Sequence, residues 1–308
     1  MELRQLRAFV EVAAQGHFGR AAKRLHLTQP ALTQRIQALE HELGLNLFER
    51  SAREVRLTRA GRVLLPHAEG LVEAEDATLR DLKDYASGVV GRVRFAYLAA
   101  GDVSLAGSII TAYRESLPRV ELETSAASSG VNLQRLVDHE TDASMALMTS
   151  DRPAHLASRP IRREEILLAM RPDHRLARME RIPIAELRGE PLAVPPAAVN
   201  PHLVRALDRW LVSRTGAPLN VVSEDPTDLA LETVAKPGVA AALVPRSYVG
   251  SQAPSGLAYR SLRPAPLAEL AIASREDDPS PTLANLLRVV DEVSPFDPQG
   301  VPDDGELI

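Results

Sequence analysis

Apolar residues in the first part of the chain recur every three or four positions, which is the spacing of amphipathic helices. The pattern predicts helices over about 2–15, 19–25 and 29–43. Thr28 precedes the third helix as an N-cap, and Gly44 follows it as a C-cap. Because only a tight turn separates the second and third helices, the pair is typical of a helix-turn-helix, and the first helix can cover its core.

The pattern then changes twice before residue 90. Two short alternating stretches, 46–50 and 55–57, flank a polar turn and predict a β-hairpin, which beside a helix-turn-helix forms a wing. Thr58 then opens a long helix over 59–87 with a heptad-like apolar stripe, in which Pro66 predicts a kink or a restart. A helix this long cannot bury its stripe on so small a domain, so we expect it to pack on a second copy.

From Arg92 onward, apolar runs alternate with helical periods, which predicts two open α/β subdomains. Subdomain I is expected over about 91–161 and 267–293, and subdomain II over 162–266, so that the chain crosses between them twice. Residues 294–308 are rich in proline, glycine and acidic residues, and their composition predicts a disordered tail.

Composition narrows the function classes. The 308 residues, 45% hydrophobic, can bury two or three cores, and the absence of cysteine excludes disulfides, thiolate metal sites and cysteine redox sensors. No apolar run approaches 18 residues and the first residues lack a signal-peptide pattern, so we expect a cytoplasmic protein without a membrane segment. Residues 1–65 hold 11 Lys and Arg against 6 Asp and Glu, although the whole chain has a net charge of −5. A locally basic module favours phosphate binding there.

The third predicted helix carries side chains that suit the major groove. Glutamine can pair with adenine, arginine with guanine, and threonine can contact either base edges or a thymine methyl group. A helical hairpin with a merely solvated polar face is the alternative. Arginines on the predicted wing can reach phosphates or the minor groove. The candidate DNA-binding residues are Gln29, Pro30, Thr33, Gln34, Arg35, Arg50 and Arg53.

Residues 1–87, and above all the run RAAKRLHLTQPALTQRIQALEHELGLNLFER, resemble LysR-type transcriptional regulators. The resemblance implies DNA contacts at Gln29, Pro30, Thr33, Arg35 and Arg53. Many members place arginine before glutamine where this chain has the reverse order, which leaves open whether residue 34 or 35 faces the bases.

The remainder resembles the effector-binding domain of the same family, which is similar in fold to periplasmic solute-binding proteins. The matching stretches are GRVRFAYLAAG, LPRVELET, DASMAL, RPDHRLA and GVAAALVP. The expected fold class is therefore α+β: a winged helix-turn-helix over 1–58, a linker helix over 59–87, and a domain over 91–293 with two Rossmann-like subdomains. The resemblance also implies dimers that pair into tetramers.

Ligands of open α/β sheets bind where strands end and helices begin. The candidate effector-binding residues at such positions are Ala99, Ala100, Gly101, Ser128, Ser129, Thr149, Pro196, Asn200 and His202. The serines can also act only as helix caps, and the histidine can be a turn residue. Because the family often has Ser or Thr where this chain has two alanines, we expect a more apolar or larger ligand.

Three other classes of protein, namely enzymes, solute-binding proteins and architectural DNA-binding proteins, fit the sequence less well than a regulator. The sequence has no phosphate loop, metalloprotease motif or nucleophile elbow, so we expect neither an enzyme nor a cofactor or metal site. A solute-binding protein would not need residues 1–87, and an architectural DNA-binding protein would not need two α/β subdomains. The expected partners are a dyad-symmetric double-stranded operator, a small-molecule effector and further copies of the chain as homodimer or homotetramer. RNA polymerase is a further candidate partner.

Overall fold

In a computed structural model, the chain divides into two compact units, Met1–Asp84 and Tyr85–Ile308. The structure describes residues 1–50, 55–101, 103–150, 153, 155–196, 200–224, 227–235, 241–249, 254, 256–296 and 301–308. Helices followed by a mixed sheet confirm the expected α+β class. Within these ranges, no helix has both the length and the apolar character needed to cross a membrane.

The first unit is a three-helix core with a hairpin and a long helix. Its elements are α1 (Leu3–Gln15), α2 (Phe18–Arg24), α3 (Gln29–Leu43), β1 (Phe48–Arg50), β2 (Val55–Leu57) and α4 (Arg59–Ala86). The two strands pair in antiparallel fashion, with Phe48 opposite Leu57, as the alternating pattern predicted. The tip of the hairpin lies outside the described residues.

Local capping fixes the ends of these helices. The Thr28 hydroxyl accepts a hydrogen bond from the Ala31 amide at 3.4 Å, and Gly44 ends α3 at a φ of +65°, where a side chain would be strained. The Thr58 hydroxyl accepts from the Gly61 amide at 3.0 Å and starts α4. At Gly61 the helix contacts the backbone just before β1 so closely that a Cβ atom would overlap the Leu47 carbonyl oxygen.

Aromatic and aliphatic side chains from α1, α2, α3 and the hairpin share one core. The ring of Phe48 lies 5.3 Å from that of Phe9 and 5.9 Å from that of Phe18, measured between centroids. Ile36 and Leu39 of α3 are fully buried beneath them. The inner face of α3 is therefore occupied by the core, and its other face is available.

Helix α4 is continuous through Pro66, so the restart expected there is wrong. Its predicted stripe divides into two parts. Ala68 is buried, and Leu64, Leu65 and Val72 pack on the core of the first unit. The other part of the stripe consists of the large exposed residues Leu71, Leu79 and Leu82.

The second unit is built on one long mixed sheet. Its strands are β3 (Gly91–Leu98), β4 (Val120–Ala127), β5 (Ala143–Met148), β6 (Leu156–Met170), β7 (Arg181–Pro183), β8 (Pro191–Val194), β9 (Asn220–Glu224), β10 (Ala241–Pro245), β11 (Ala258–Arg263), β12 (Ala265–Arg275) and β13 (Gly305–Leu307). Its α-helices are α5 (Val103–Ser116), α6 (Ser129–Val137), α7 (Pro201–Thr215), α8 (Thr227–Val234) and α9 (Pro281–Val293). The main path of the sheet runs β4-β3-β5-β12-β6-β10-β8-β9.

Two long antiparallel strands, β6 and β12, join the halves of this unit. The first part of β6 pairs with β12, and its second part pairs with β10 and β11. The apolar runs in the sequence predict strands only over 165–170 and 267–273, so both predicted strands are shorter than the observed ones. The extra residues of β6 include Arg162, Arg163 and Glu164, whose charges are paired: Arg162 with Glu164, and Arg163 with Glu269 of β12. Their polarity therefore gave the wrong strand start.

The disordered tail expected over 294–308 is wrong for residues 301–308, which we call the 301–308 strap. Strand β13 in the strap pairs in parallel with the start of β12, and the Ile308 side chain is buried in the core. Two of its three acidic residues have partners: Asp304 pairs with Arg181, and Glu306 accepts from the Trp210 indole nitrogen at 2.9 Å. The composition of the tail predicted disorder because composition carries no information about partners that are distant in the sequence.

Candidate DNA-binding helix and effector cavity

The outward face of α3 is formed by the residues farthest from its buried side. At about 100° per residue, Gln34 lies opposite the buried positions Leu32 and Ile36, and Thr33 lies on the flank of the helix. Gln29 is seven residues before Ile36 and falls on the same side, but it is in the first turn of the helix. Gln29 and Gln34 are exposed, and Thr33 is partly exposed. The polar face therefore presents amide and hydroxyl groups to solvent.

Pro30 and Arg35 differ in position. Pro30 is exposed in the first turn of α3, where its missing N–H costs no helical hydrogen bond. Arg35 lies on the flank of the helix and is half-buried, whereas Gln34 points almost directly away from the core. The geometry thus separates the two residues whose order differs from that of many family members.

The predicted arginines of the wing are only partly described. The backbone of Arg50 belongs to β1, opposite Val55 of β2, but its side chain lies outside the described part of the chain. Arg53 is also outside the described residues.

A contact between the start of α2 and the start of α3 was not predicted from the sequence. A Cβ atom at Gly19 would lie 3.4 Å from the Gln29 side-chain oxygen.

A second candidate site is a cavity of about 220 Å³ between the two halves of the second unit. Five of the nine predicted effector-binding residues line it: Ala99, Ala100, Ser128, Ser129 and Asn200. They come from the end of β3, the start of α6 and the start of α7. The rule that ligands bind at strand ends beside helix starts therefore located this cavity.

The polar groups of the cavity are held in defined orientations. Ser129 is 5% exposed, and its hydroxyl accepts from the Leu147 amide at 3.1 Å, which ties α6 to β5. Asn200 is the N-cap of α7 and its side-chain oxygen accepts from the Leu203 amide at 3.2 Å. The amide nitrogen of Asn200 consequently keeps its two N–H donors for other partners.

Buried Asn132, which was not among the candidates, supports this arrangement. Its side-chain amide donates to the Tyr97 carbonyl at 3.0 Å and to the Met145 carbonyl at 3.1 Å. These bonds join α6 to the ends of two parallel strands. A buried amide within a helical stripe is the sequence signal that could have identified it.

Four of the predicted residues do not line the cavity. Gly101 lies beside it, with a φ of +95°, and a Cβ atom there would be 3.0 Å from the Ser247 hydroxyl oxygen. Thr149 is buried one residue beyond β5, and the chain uses Pro195 in place of Pro196. His202 is in the first turn of α7, with Nδ1 3.2 Å from the Arg205 guanidinium.

Eight residues that were not among the candidates also line the cavity, and two of them form a wall that the sequence did not indicate. The eight are Leu98, Ala127, Leu147, Pro195, Leu203, Pro245, Ser247 and Tyr248. Ser247 and Tyr248 belong to a 3-10 turn, Arg246–Tyr248, that follows β10.

Two adjacent buried carboxylates of β6 anchor this turn. Glu164 accepts a hydrogen bond from the Ser247 amide at 2.6 Å, and Glu165 pairs with the Arg246 guanidinium. Glu164 is 4% exposed and Glu165 is 0% exposed. Two consecutive acidic residues ahead of an apolar run are the sequence signal that could have indicated this anchor.

The described lining of the cavity contains hydroxyl, amide and apolar groups, and none of its side chains carries a formal charge. Most of the lining surface is apolar. Such a cavity suits a small ligand with an apolar body and a few polar atoms that accept hydrogen bonds.

Family models match both units. Residues 3–62 match the model described as a bacterial regulatory helix-turn-helix protein of the lysR family. Residues 86–295 match the model described as a LysR substrate binding domain.

Full-length relatives and solved structures agree with these matches. The HTH-type transcriptional regulator IlvR of Caulobacter vibrioides is 35% identical over 297 residues, which cover 95% of this chain and 98% of that protein. XapR of Escherichia coli is 27% identical and covers 93% and 96%. The crystal structure of CbnR, a LysR family transcriptional regulator, superposes with a TM-score of 0.59 at 26% identity, over 94% of this chain and 100% of that one.

CbnR in complex with its target DNA superposes with a TM-score of 0.54 at 26% identity and covers 95% of this chain and 99% of that one. An exposed polar helix on a helix-turn-helix, a cavity between two α/β halves and matches along nearly the whole chain all agree. The chain belongs to the LysR family, DNA-binding transcriptional regulators with an effector-binding domain.

Proposed function

We propose that α3 is the recognition helix and that Gln29, Thr33 and Gln34 contact base edges in the major groove. The observation that carries this proposal is that Gln29 and Gln34 are exposed, and Thr33 partly exposed, in the first half of α3 on a basic helix-turn-helix. Arg35, on the flank, and Arg50 and Arg53 of the wing are proposed to bind phosphates or the minor groove.

The experiment uses DNA duplexes selected from a random library with the full chain. Gln34→Ala should relax base preference at one position of the selected site, at a cost of roughly 1–3 kcal/mol, because a bidentate contact is lost. Arg35→Ala should weaken binding to all sequences more evenly and reduce the salt dependence. Affinity is measured by fluorescence anisotropy over a range of salt concentrations.

Arg4→Ala is the matched control, since it removes one exposed arginine from α1 of the same unit. It should leave base preference unchanged. If Gln29→Ala and Gln34→Ala together leave the selected sequence and its affinity intact, α3 is not the recognition helix.

We propose further that the cavity binds the effector, and that Ala99, Ala100, Ser128, Ser129 and Asn200 contact it. The uncharged, mainly apolar lining supports a ligand that is more apolar than a simple anion. Binding changes the arrangement of the two halves only as far as the ligand prefers one arrangement over another.

The exposed leucines of α4 support a homodimer, in which two winged units address a dyad-symmetric operator. Pairing of dimers into a homotetramer and contact with RNA polymerase are additional proposals that rest on the resemblance to the family. The matched relatives are transcriptional regulators. The proposed role of this chain is regulation of transcription in the cytoplasm.

A further inference from the structure

The 301–308 strap makes hydrogen bonds to both halves of the second unit. The Ser150 amide, two residues beyond β5 of the first half, donates to the backbone oxygen of Ile308 at 2.7 Å. The Glu306 carboxylate accepts from the Trp210 indole at 2.9 Å and from the Arg214 guanidinium at 2.6 Å. Both of these donors belong to α7 of the second half. The strap therefore ties the end of a strand in one half to a helix in the other.

The same strand and the same helix supply walls of the effector cavity. Leu147 of β5 lines the cavity and is three residues before Ser150. Asn200 and Leu203 line it at the start of α7, and Trp210 is about two turns further along that helix. The strap is thus bound, outside the cavity, to two elements whose separation sets the width of the cavity.

The strap is held by several kinds of contact along its length. The Ile308 amide donates to the Leu267 carbonyl at 3.0 Å, and the Ile308 side chain is 4% exposed. At Gly305 the backbone lies so close to β12 that a Cβ atom would overlap the Leu267 side chain. Asp304 pairs with Arg181 of β7, in the second half. Backbone pairing, a buried side chain and charge-assisted bonds therefore fix the strap to the rest of the unit.

We propose that the 301–308 strap is a clamp that limits the opening of the effector cavity, and that its release lets α7 move away from β5. Its role in the response to an effector rests on the function proposed for the cavity. A clamp that favours one arrangement of the halves also favours any ligand that binds this arrangement, because binding and arrangement are linked. Release of the strap should then lower effector affinity, and a bound effector should slow the release.

Hydrogen exchange of the full chain, measured by mass spectrometry without ligand, tests the clamp. Glu306→Ala removes the acceptor of both α7 donors, so the strap should open about tenfold more often, the size of one lost charge-assisted hydrogen bond. Amides that exchange only through one shared opening accelerate by the same factor. Segments 305–308, 145–150 and 203–210 should therefore accelerate together. Segment 167–170 of β6, which is paired on both sides, should not change.

Fluorescence gives a second measurement, because Trp210 is the one tryptophan in the sequence. Acrylamide should quench it more strongly in Glu306→Ala than in the wild type. Glu306→Gln keeps the size of the side chain and an oxygen for the indole, so both effects should be smaller. Glu292→Ala is the matched control, since it breaks an exposed ion pair with Arg288 on α9. It should change neither the exchange nor the quenching.

The clamp is overturned if Glu306→Ala leaves exchange or Trp210 quenching unchanged, or if segment 305–308 accelerates alone. It is also overturned if segment 167–170 accelerates by the same factor, or if Glu292→Ala has the effect of Glu306→Ala. Because the exchange measurement uses no ligand, its result does not depend on whether the cavity binds the effector. That assignment fails separately, if Ala100→Trp leaves ligand-induced thermal shifts intact.

Discussion

At the scale of single residues, Asp142 joins two strands of the second unit through one carboxylate. It accepts hydrogen bonds from the Arg94 backbone amide at 2.8 Å and from the Arg94 guanidinium at 2.7 Å and 3.2 Å. Arg275, at the end of β12, lies 3.4 Å away. Burial raises the pKa of Asp142, but the hydrogen bonds from Arg94 outweigh burial and the pKa lies below its ordinary value.

Asp142→Asn should lower the free energy of unfolding at pH 7 by about 2 kcal/mol, because a charged, partly buried acceptor is lost. A carboxyl whose pKa is lower in the folded state stabilises the fold fully above its ordinary pKa of 3.8 and loses that effect as the pH falls through the lowered value. Urea unfolding of both proteins should thus give a difference at pH 7 that shrinks at pH 3.

Asp173→Asn is the control, since Asp173 is also paired with an arginine, Arg171, but is itself exposed. Its unfolding midpoint should match that of the wild type at pH 7. An Asp142→Asn difference of the same size at both pH values would show that the carboxylate charge does not contribute to stability.

At the scale of elements, the apolar stripe of α4 is partly buried against the first unit and partly exposed. Arg7 of α1 pairs with Glu75 and Asp76, and Ala68 and Val72 pack on the same core, so part of the stripe is used within the first unit. Leu71 and Leu79 remain 46% and 59% exposed. Large apolar residues spaced by eight positions on an exposed helix face are typical of a helix that packs against another helix.

Leu71→Glu together with Leu79→Glu should therefore weaken dimerisation by roughly a hundredfold, since charged groups would be buried in an apolar contact. Light scattering over a range of protein concentrations measures the change in mass. Leu45→Glu, at a 55% exposed leucine of the same unit, should leave the mass unchanged. If the α4 variant keeps the wild-type mass at low concentration, the dimer contact lies elsewhere.

Helices with local capping signals could be predicted from the sequence more accurately than long strands. Helix α3 was expected over 29–43 and spans Gln29–Leu43, because its cap residues and apolar spacing are local. Strand β6 was expected to start at residue 165 and begins at Leu156, because its polar residues are paired only in the folded chain. Local signals thus fix capped helices, whereas long crossing strands depend on distant partners.

At the scale of the whole molecule, the effector cavity depends on both halves of the second unit. Strand ends and helix starts could be predicted because each has its own sequence signal. Ser247 and Tyr248 could not be predicted as lining residues, because their turn is held beside the cavity by a hydrogen bond to Glu164, which is 83 residues earlier in the chain. Thr149 and His202 had suitable chemistry and adjacent positions, but their side chains do not line the cavity.

A thermal-shift screen of small neutral and anionic molecules on the full chain tests the cavity. Ala100→Trp should abolish the shift of true effectors, because the indole ring takes up much of a space of about 220 Å³. Gly107→Ala is the control: the position lies in α5 with open space around it. If Ala100→Trp keeps the full shift for every molecule that stabilises the wild type, the effector binds elsewhere.

The 301–308 strap decides where a recombinant fragment of the second unit should end. A fragment that stops after α9 would follow the composition, yet it would remove the acceptor of the Trp210 indole and the Arg214 guanidinium. It would also empty the place that Ile308 fills in the core. Fragments prepared for ligand screening or crystallisation should therefore retain the strap, and an affinity tag is better attached at the other end.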